Sequence, residues 1–168
     1  LYGSKAILSS GNYSLIQYNN INNSGYHGIN ISSSSQNAEI KNNFINNSCL
    51  ILDDCGGIYT SAPHSSLVID SNIVLNSYGN INGTTDSTGE SMSSGIYLDT
   101  SSTNVIVSNN TISNAHNHGI FLSRSSFNTI NGNLVYDNNI QLHISEGSGS
   151  GQTHDNTISN NIFVSKSA

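Results

Sequence analysis

The chain has 168 residues, only 8% of them charged, with four Lys and Arg against ten Asp and Glu and a net charge of −6. So little basic charge leaves almost nothing to neutralise phosphates, which argues against a nucleic-acid partner. No apolar run approaches the length of a membrane span, no signal peptide is visible, and the length fits a single domain over residues 1–168 with a narrow apolar core.

In chain order, the first clear element is Gly28-Ile29-Asn30-Ile31-Ser32, which alternates apolar and polar as a half-buried strand does. The same start returns at Gly57-Ile58, Gly95-Ile96 and Gly119-Ile120, with a variant at Asn139-Ile140. A second phrase, Asn followed by two residues of which the second is usually aliphatic, returns at Asn20, Asn43, Asn72, Asn110, Asn133 and Asn161. From Gly28 to Asn43, Gly57 to Asn72 and Gly95 to Asn110 the spacing is 15 residues, and from Gly119 to Asn133 it is 14. The way back from each Asn to the next Gly takes 8, 14, 23 and 9 residues. A fixed arc joined to a variable one is the mark of a solenoid that carries its insertions on one face.

No stretch sustains a 3.6-residue apolar period, and Gly, Asn and Ser occur throughout, so long helices are not expected. Short strands broken by Asn-Asn, Asn-Gly and Ser-Ser turns predict coils of roughly 22–24 residues whose strands pair in parallel with the next coil. The fold class is all-β, a parallel β-helix of about six coils. Asn43, Asn72, Asn110, Asn133 and Asn161, stacked at one turn, are expected to form an amide ladder. The pattern starts at Leu1 and stops soon after Ile162-Phe163-Val164 with no polar cap, so a piece of a longer helix, or one stacked on further coils, is expected.

Three insertions interrupt the repeat, at 48–56, 77–94 and 146–154. The first two enter the same strand column in consecutive coils and so form two walls beside a flat sheet, a groove suited to an extended polymer. The third lies on a different turn and reads as a flexible loop. Within the first, Cys49 and Cys55 are six apart: a disulfide would staple the insertion in an extracellular setting, and two small buried side chains is the competing reading.

The outward column of the grooved sheet reads Asn30, Tyr59, Tyr97, Phe121 and Gln141, and the next reads Ser32, Ser61, Asp99, Ser123 and His143. Exposed Tyr59, Tyr97 and Phe121 would offer rings to a sugar, or would pack on one another and shield the sheet. Asp99 is a carboxylate on a nearly uncharged face, with Arg124 one residue beyond its neighbour in the next coil. Asp53, Asp54 and Glu90 belong to the insertions and reach Asp99 if those fold over the sheet. His116 and His118 flank the same edge as general bases or acids near neutral pH, although the same His-Gly step at His27 points to a structural role for His118.

The phrases Asp54-Cys55-Gly56-Gly57-Ile58-Tyr59, Ser94-Gly95-Ile96-Tyr97-Leu98-Asp99 and His118-Gly119-Ile120-Phe121-Leu122 resemble the repeats of right-handed parallel β-helix proteins of the pectin-lyase-like superfamily. The resemblance implies a right-handed coil and a function among polysaccharide lyases, inverting glycoside hydrolases, uronan epimerases and non-enzymatic surface proteins. Of the polygalacturonase-like signatures, paired Asp53-Asp54 and the partial Asn117-His118-Gly119 are present and Arg-Ile-Lys is absent. The scarcity of basic residues weakens the lyase chemistry, in which a base abstracts a proton beside a uronate, often with Ca²⁺. The expectation is therefore a secreted or surface-exposed enzyme acting on polysaccharide. Asp99, Asp54, Asp53 and Glu90 are its candidate hydrolytic carboxylates, and His118 is a further catalytic candidate. Tyr59, Tyr97, Phe121, Arg124 and His143 are substrate-binding candidates. A lyase or epimerase, and a non-catalytic adhesin or carbohydrate-binding scaffold, are the alternatives. No cofactor is expected beyond a possible Ca²⁺, and the acids form no recognisable Ca²⁺-loop motif.

Overall fold

The computed structural model describes residues 4–32, 34–83, 89–146 and 152–165, so parts of the 77–94 and 146–154 insertions lie outside the described residues. Eighteen short strands form three parallel sheets of six, and each coil gives one strand to each sheet in turn. The first sheet holds Ile7–Ser9, Ile29–Ile31, Gly56–Thr60, Ser94–Leu98, His118–Ser123 and Ile140–Ser145. The second runs from Leu15–Gln17 to Thr157–Ser159, and the third from Asn20–Asn22 to Ile162–Val164. The one helical segment described is a short 3₁₀ turn, Ile81–Gly83, inside an insertion.

Period-two alternation places one apolar residue of each strand inside, and parallel register stacks these residues into columns. Ile29, Ile58, Ile96 and Ile120 line the first sheet; Ile40, Ile69, Val107 and Ile130 the second; Ile45, Val74, Ile112 and Val135 the third. All twelve are fully buried and form one continuous core. The glycines that open the first-sheet strands sit where the third sheet turns into the first. A Cβ on Gly95 would collide with Ile112 Cγ2 and with the Gly119 carbonyl of the next coil, so no larger residue fits the corner.

The expected amide ladder is present and begins one coil earlier, at Asn19. Each Asn Nδ2 donates to the Oδ1 of the next, from Asn19 through Asn43, Asn72, Asn110 and Asn133 to Asn161, at 2.9–3.0 Å. The same Oδ1 also accepts the backbone N–H of the Asn below it. The residue before each ladder Asn has a left-handed backbone: Tyr18, Asn42, Ser71, Asn109, Gly132 and Asn160. An Asn-Asn doublet thus does two jobs, the first residue making the turn and the second joining the ladder. At Tyr18-Asn19-Asn20 the turn is made by Tyr18, so Asn19 joins the ladder and Asn20 faces solvent.

The register of the last coil differs from the expectation. Leu142 pairs with Ile120 and His143 with Phe121, so Gln141, and not Asn139, stacks on Gly119. The cause is a local turn closed by side chains: Asn138 Nδ2 donates to Gln141 Oε1 and Gln141 Nε2 to the Asn138 carbonyl, both at 2.8 Å. His143 therefore belongs to the aromatic column, and Gln141 does not.

Removing one rung should weaken the whole stack. Asn72→Ala strands the Asn43 N–H and the Ile40 carbonyl, both bonded to Asn72 in the native chain. We expect a loss of about 3 kcal/mol or more, since each buried polar group left unpaired costs ~1–3 kcal/mol. Urea denaturation of the variant beside the parent chain measures it.

Candidate active site

The outward face of the first sheet carries Asn30, Tyr59, Tyr97, Phe121 and His143 in one register. With strands ~4.8 Å apart, rings on successive coils are close enough to pack on one another, and they do, edge to face for Tyr59 on Tyr97 and stacked for the other pairs. Centroids lie 4.1 Å apart for His27 and Tyr59, 5.3 Å for Tyr59 and Tyr97, and 4.8 Å both for Tyr97 and Phe121 and for Phe121 and His143. Tyr97 is 2% exposed and Phe121 4%. Of the two readings of Tyr59, Tyr97 and Phe121, as platforms for sugar rings or as rings packed on one another, the packing is present, while Tyr97 and Phe121 also reach the cleft over this sheet.

The first insertion is held by a disulfide between Cys49 and Cys55, the first of the two readings of that pair, and both half-cystines are fully buried. Asp54 takes a left-handed backbone, φ 52°, and the adjacent carboxylates diverge. Asp53 turns into the junction of the two insertions, 4% exposed, where its oxygens accept from Ser91 Oγ at 2.8 Å and from the Met92 N–H at 2.9 and 3.1 Å. Asp53, expected among the candidate catalytic acids, thus pins the two walls together and does not line the cleft. The two walls do stand side by side, as their order in the chain implied.

Asp54 turns the other way, into a cleft of about 790 Å³ that it lines with Glu90, Tyr97, Asp99, His116, His118, Phe121, Arg124 and His143. Asp99 is anchored at the end of its strand. Tyr59 Oη donates to its Oδ2 at 2.9 Å, Thr100 Oγ1 to its Oδ1 at 3.1 Å, and Arg124 Nη2 lies 3.9 Å from Oδ1. Arg124 Nε is buried with no hydrogen-bond partner, so the guanidinium has donor capacity left over. Asp54 is exposed as a residue, but desolvation of its carboxyl in the cleft, then the charges of Asp99 and Asp53, push it above the usual carboxylate range against the opposing pull of Tyr97 and Arg124. The Tyr97 and Tyr59 hydroxyls are raised too, first by burial and then by these acids. Tyr59 does not line the cleft; it supports Asp99 from below.

His118 and His143 form a bonded pair, Nε2 to Nδ1 at 2.9 Å, and His118 Nδ1 lies 3.3 Å from Ser94 Oγ. Burial, and secondarily His143, hold the His118 imidazole down to about 4. His27 occupies the equivalent position three coils earlier, where its Nδ1 accepts the Gly56 N–H at 3.2 Å and burial holds it down to about 3. The shared role of the two histidines before glycine is structural; His118 differs in also reaching the cleft. His116, exposed, bonds the Tyr78 carbonyl at 2.9 Å.

A family model described as the right-handed β-helix region matches residues 2–167. The chain belongs to that family. The match bears out the resemblance read from the Gly-Ile repeats, and the three parallel sheets agree with it. Neither the curated proteins nor the solved structures give a match. The family carries a fold and leaves the chemistry to the site.

Among the described residues no group of three His, Cys, Asp or Glu converges as a metal site would require. Sequence reading missed Thr100, which fixes Asp99, and Ser91 and Met92, which receive Asp53. It also missed His64, buried with Nδ1 3.0 Å from Ser35 Oγ and Nε2 2.7 Å from Thr60 Oγ1. The Asp99-Thr100 step was a usable signal; the others depend on how the insertions and turns fold.

Two outcomes follow from these contacts. Asp53→Ala should free the segment around Ser91 and Met92 from the first insertion, raising its rate of limited proteolysis several-fold while the far-ultraviolet dichroism is unchanged. Burial lowers His27, His64 and His118, so the folded chain binds fewer protons there than the unfolded chain, whose histidines titrate near 6.5. Stability should fall as pH drops from about 6.5 toward about 4, and the fall in melting temperature should be shallower in His27→Asn.

Proposed function

We propose that this chain is a glycoside hydrolase that cleaves polysaccharide in the cleft over the first sheet. Asp54 is the proton donor, and Asp99 is the carboxylate that activates water. The observation that carries this reading is the unlike setting of two carboxylates in one cleft. Asp54 is pushed up by desolvation in the cleft and by the charges of Asp99 and Asp53, which favours its protonated form. Asp99 accepts bonds from Tyr59 and Thr100 and faces Arg124, contacts that fix the direction of its carboxylate at the cleft. A carboxyl whose protonated form is favoured, beside a second carboxylate held by hydrogen bonds, is the pairing that acid-base hydrolysis uses.

In the step proposed, Asp54 gives its proton to the glycosidic oxygen as the bond from that oxygen to the anomeric carbon breaks. Water adds to the anomeric carbon and passes a proton to Asp99, and a new reducing end results. Arg124 and Tyr59 are positioning residues that hold Asp99. Both ring nitrogens of His118 are engaged, which weighs against it as the base of an elimination. The buried Cys49–Cys55 bridge supports an extracellular setting.

A panel of polysaccharides, read for new reducing ends and for the ultraviolet absorbance of unsaturated ends, tests the reaction class. Reducing ends without that absorbance are expected, and unsaturated products would sink the hydrolase reading. Asp54→Asn and Asp99→Asn should each lower kcat by about 10³-fold with the fold intact. In the parent chain, activity should decline as pH rises through the elevated Asp54 titration.

A further inference from the structure

We infer that the cleft is built for a glycan carrying no carboxylate, sulfate or phosphate on the rings it seats; this rests on the hydrolase reading of the same cleft. The charges that face it are unequal. Asp54, Glu90 and Asp99 line it and Asp53 lies just behind, while Arg124 is the one Lys or Arg lining it among the described residues. That guanidinium is already turned to Asp99, at 3.9 Å. The other basic residues are elsewhere: Lys41 is paired with Glu39 at 2.6 Å, Lys5 lies over the Tyr26 ring, and Lys166 is outside the described residues. Three histidines also line it: His118 and His143 are bonded to each other and His116 to the Tyr78 carbonyl, so each already has a partner within the protein.

A polyanionic chain brings about one negative charge per ring, and in this cleft each would meet acids without a cation to answer it. Like charges placed this way exclude a partner as effectively as good contacts select one. An uncharged chain meets no such cost, and the neutral polar side chains of Ser123 and Asn139 on the cleft wall suit sugar hydroxyls. A cationic amino-sugar chain is also compatible with the field. The uronate substrates admitted by the family resemblance are not.

The test uses the intact chain with three sets of polymers: uncharged (xylan, mannan, galactan, β-glucan), cationic (chitosan) and anionic (polygalacturonate, alginate, a sulfated galactan). Each is assayed for turnover and, by affinity electrophoresis, for binding. Turnover of at least one uncharged or cationic chain, about tenfold or more above every anionic one at low salt, supports the inference. Raising the salt from ~10 mM to ~1 M should shrink the anionic deficit, because the screening length falls from ~30 to ~3 Å. Turnover of an anionic chain as fast as the best uncharged one at low salt overturns the inference and leaves the hydrolase reading standing. Binding of uncharged chains without turnover of any polymer overturns the hydrolase reading and keeps the ligand class. Absence of both turnover and binding overturns both.

Discussion

Everything in this chain hangs on bonds made from one coil to the next. A strand of three to eight residues has no stability alone, and its N–H and C=O groups are satisfied only by the strands above and below. The asparagine ladder makes that dependence continuous at the one turn where the backbone would otherwise break the sheet. Each amide accepts from the backbone and side chain of one coil and donates to the side chain of another. The ladder seals the turn between the second and third sheets, just as the glycine corner closes the turn between the third and the first. With both turns fixed, the apolar residues have one place to go, a narrow column with no separate globular interior.

That rigidity is what lets the cleft exist. Asp99 stands at the end of a strand whose register is set by neighbours on both sides, and Asp54 arrives from an insertion. The two are brought together by a disulfide at the base of that insertion and by Asp53, which ties it to the next one. The stacked rings beneath serve the same end. Tyr59 uses its face for packing and its hydroxyl to hold Asp99, so the floor of the cleft and the orientation of its carboxylate are one construction.

The fold was largely legible because a solenoid writes the same constraint at each coil. Asn43, Asn72, Asn110 and Asn133 recur because the ladder needs an amide, and the Gly-Ile steps recur because a side chain would strike the third sheet. Where the mark was absent, the reading slipped: the last first-sheet turn has no glycine, and Gln141 and His143 were placed two residues out of register. At Asn19-Asn20 the turn is made by Tyr18, and the wrong asparagine was chosen. The site was legible only in part. Asp99 and Arg124 sit on the repeat, so their proximity followed from counting. The meeting of Asp54 with Asp99, the withdrawal of Asp53 and the burial of Tyr97 and Phe121 depend on how non-repeating insertions fold, and no period encodes that.

The unequal arcs of the repeat have a consequence for descent. The stretch from each first-sheet glycine to its ladder asparagine varies by one residue at most, while the return to the next glycine can nearly triple. The two insertions that wall the cleft lie on a margin where they touch neither the columns of the core nor the ladder. A lineage built on this plan can lengthen, shorten or exchange the walls of its cleft one coil at a time, leaving the floor and its anchored carboxylate as inherited. New specificities would then arise by altering single return arcs, and relatives should differ most where this chain carries Asp54 and Glu90, and least at Asn72 and Asn110.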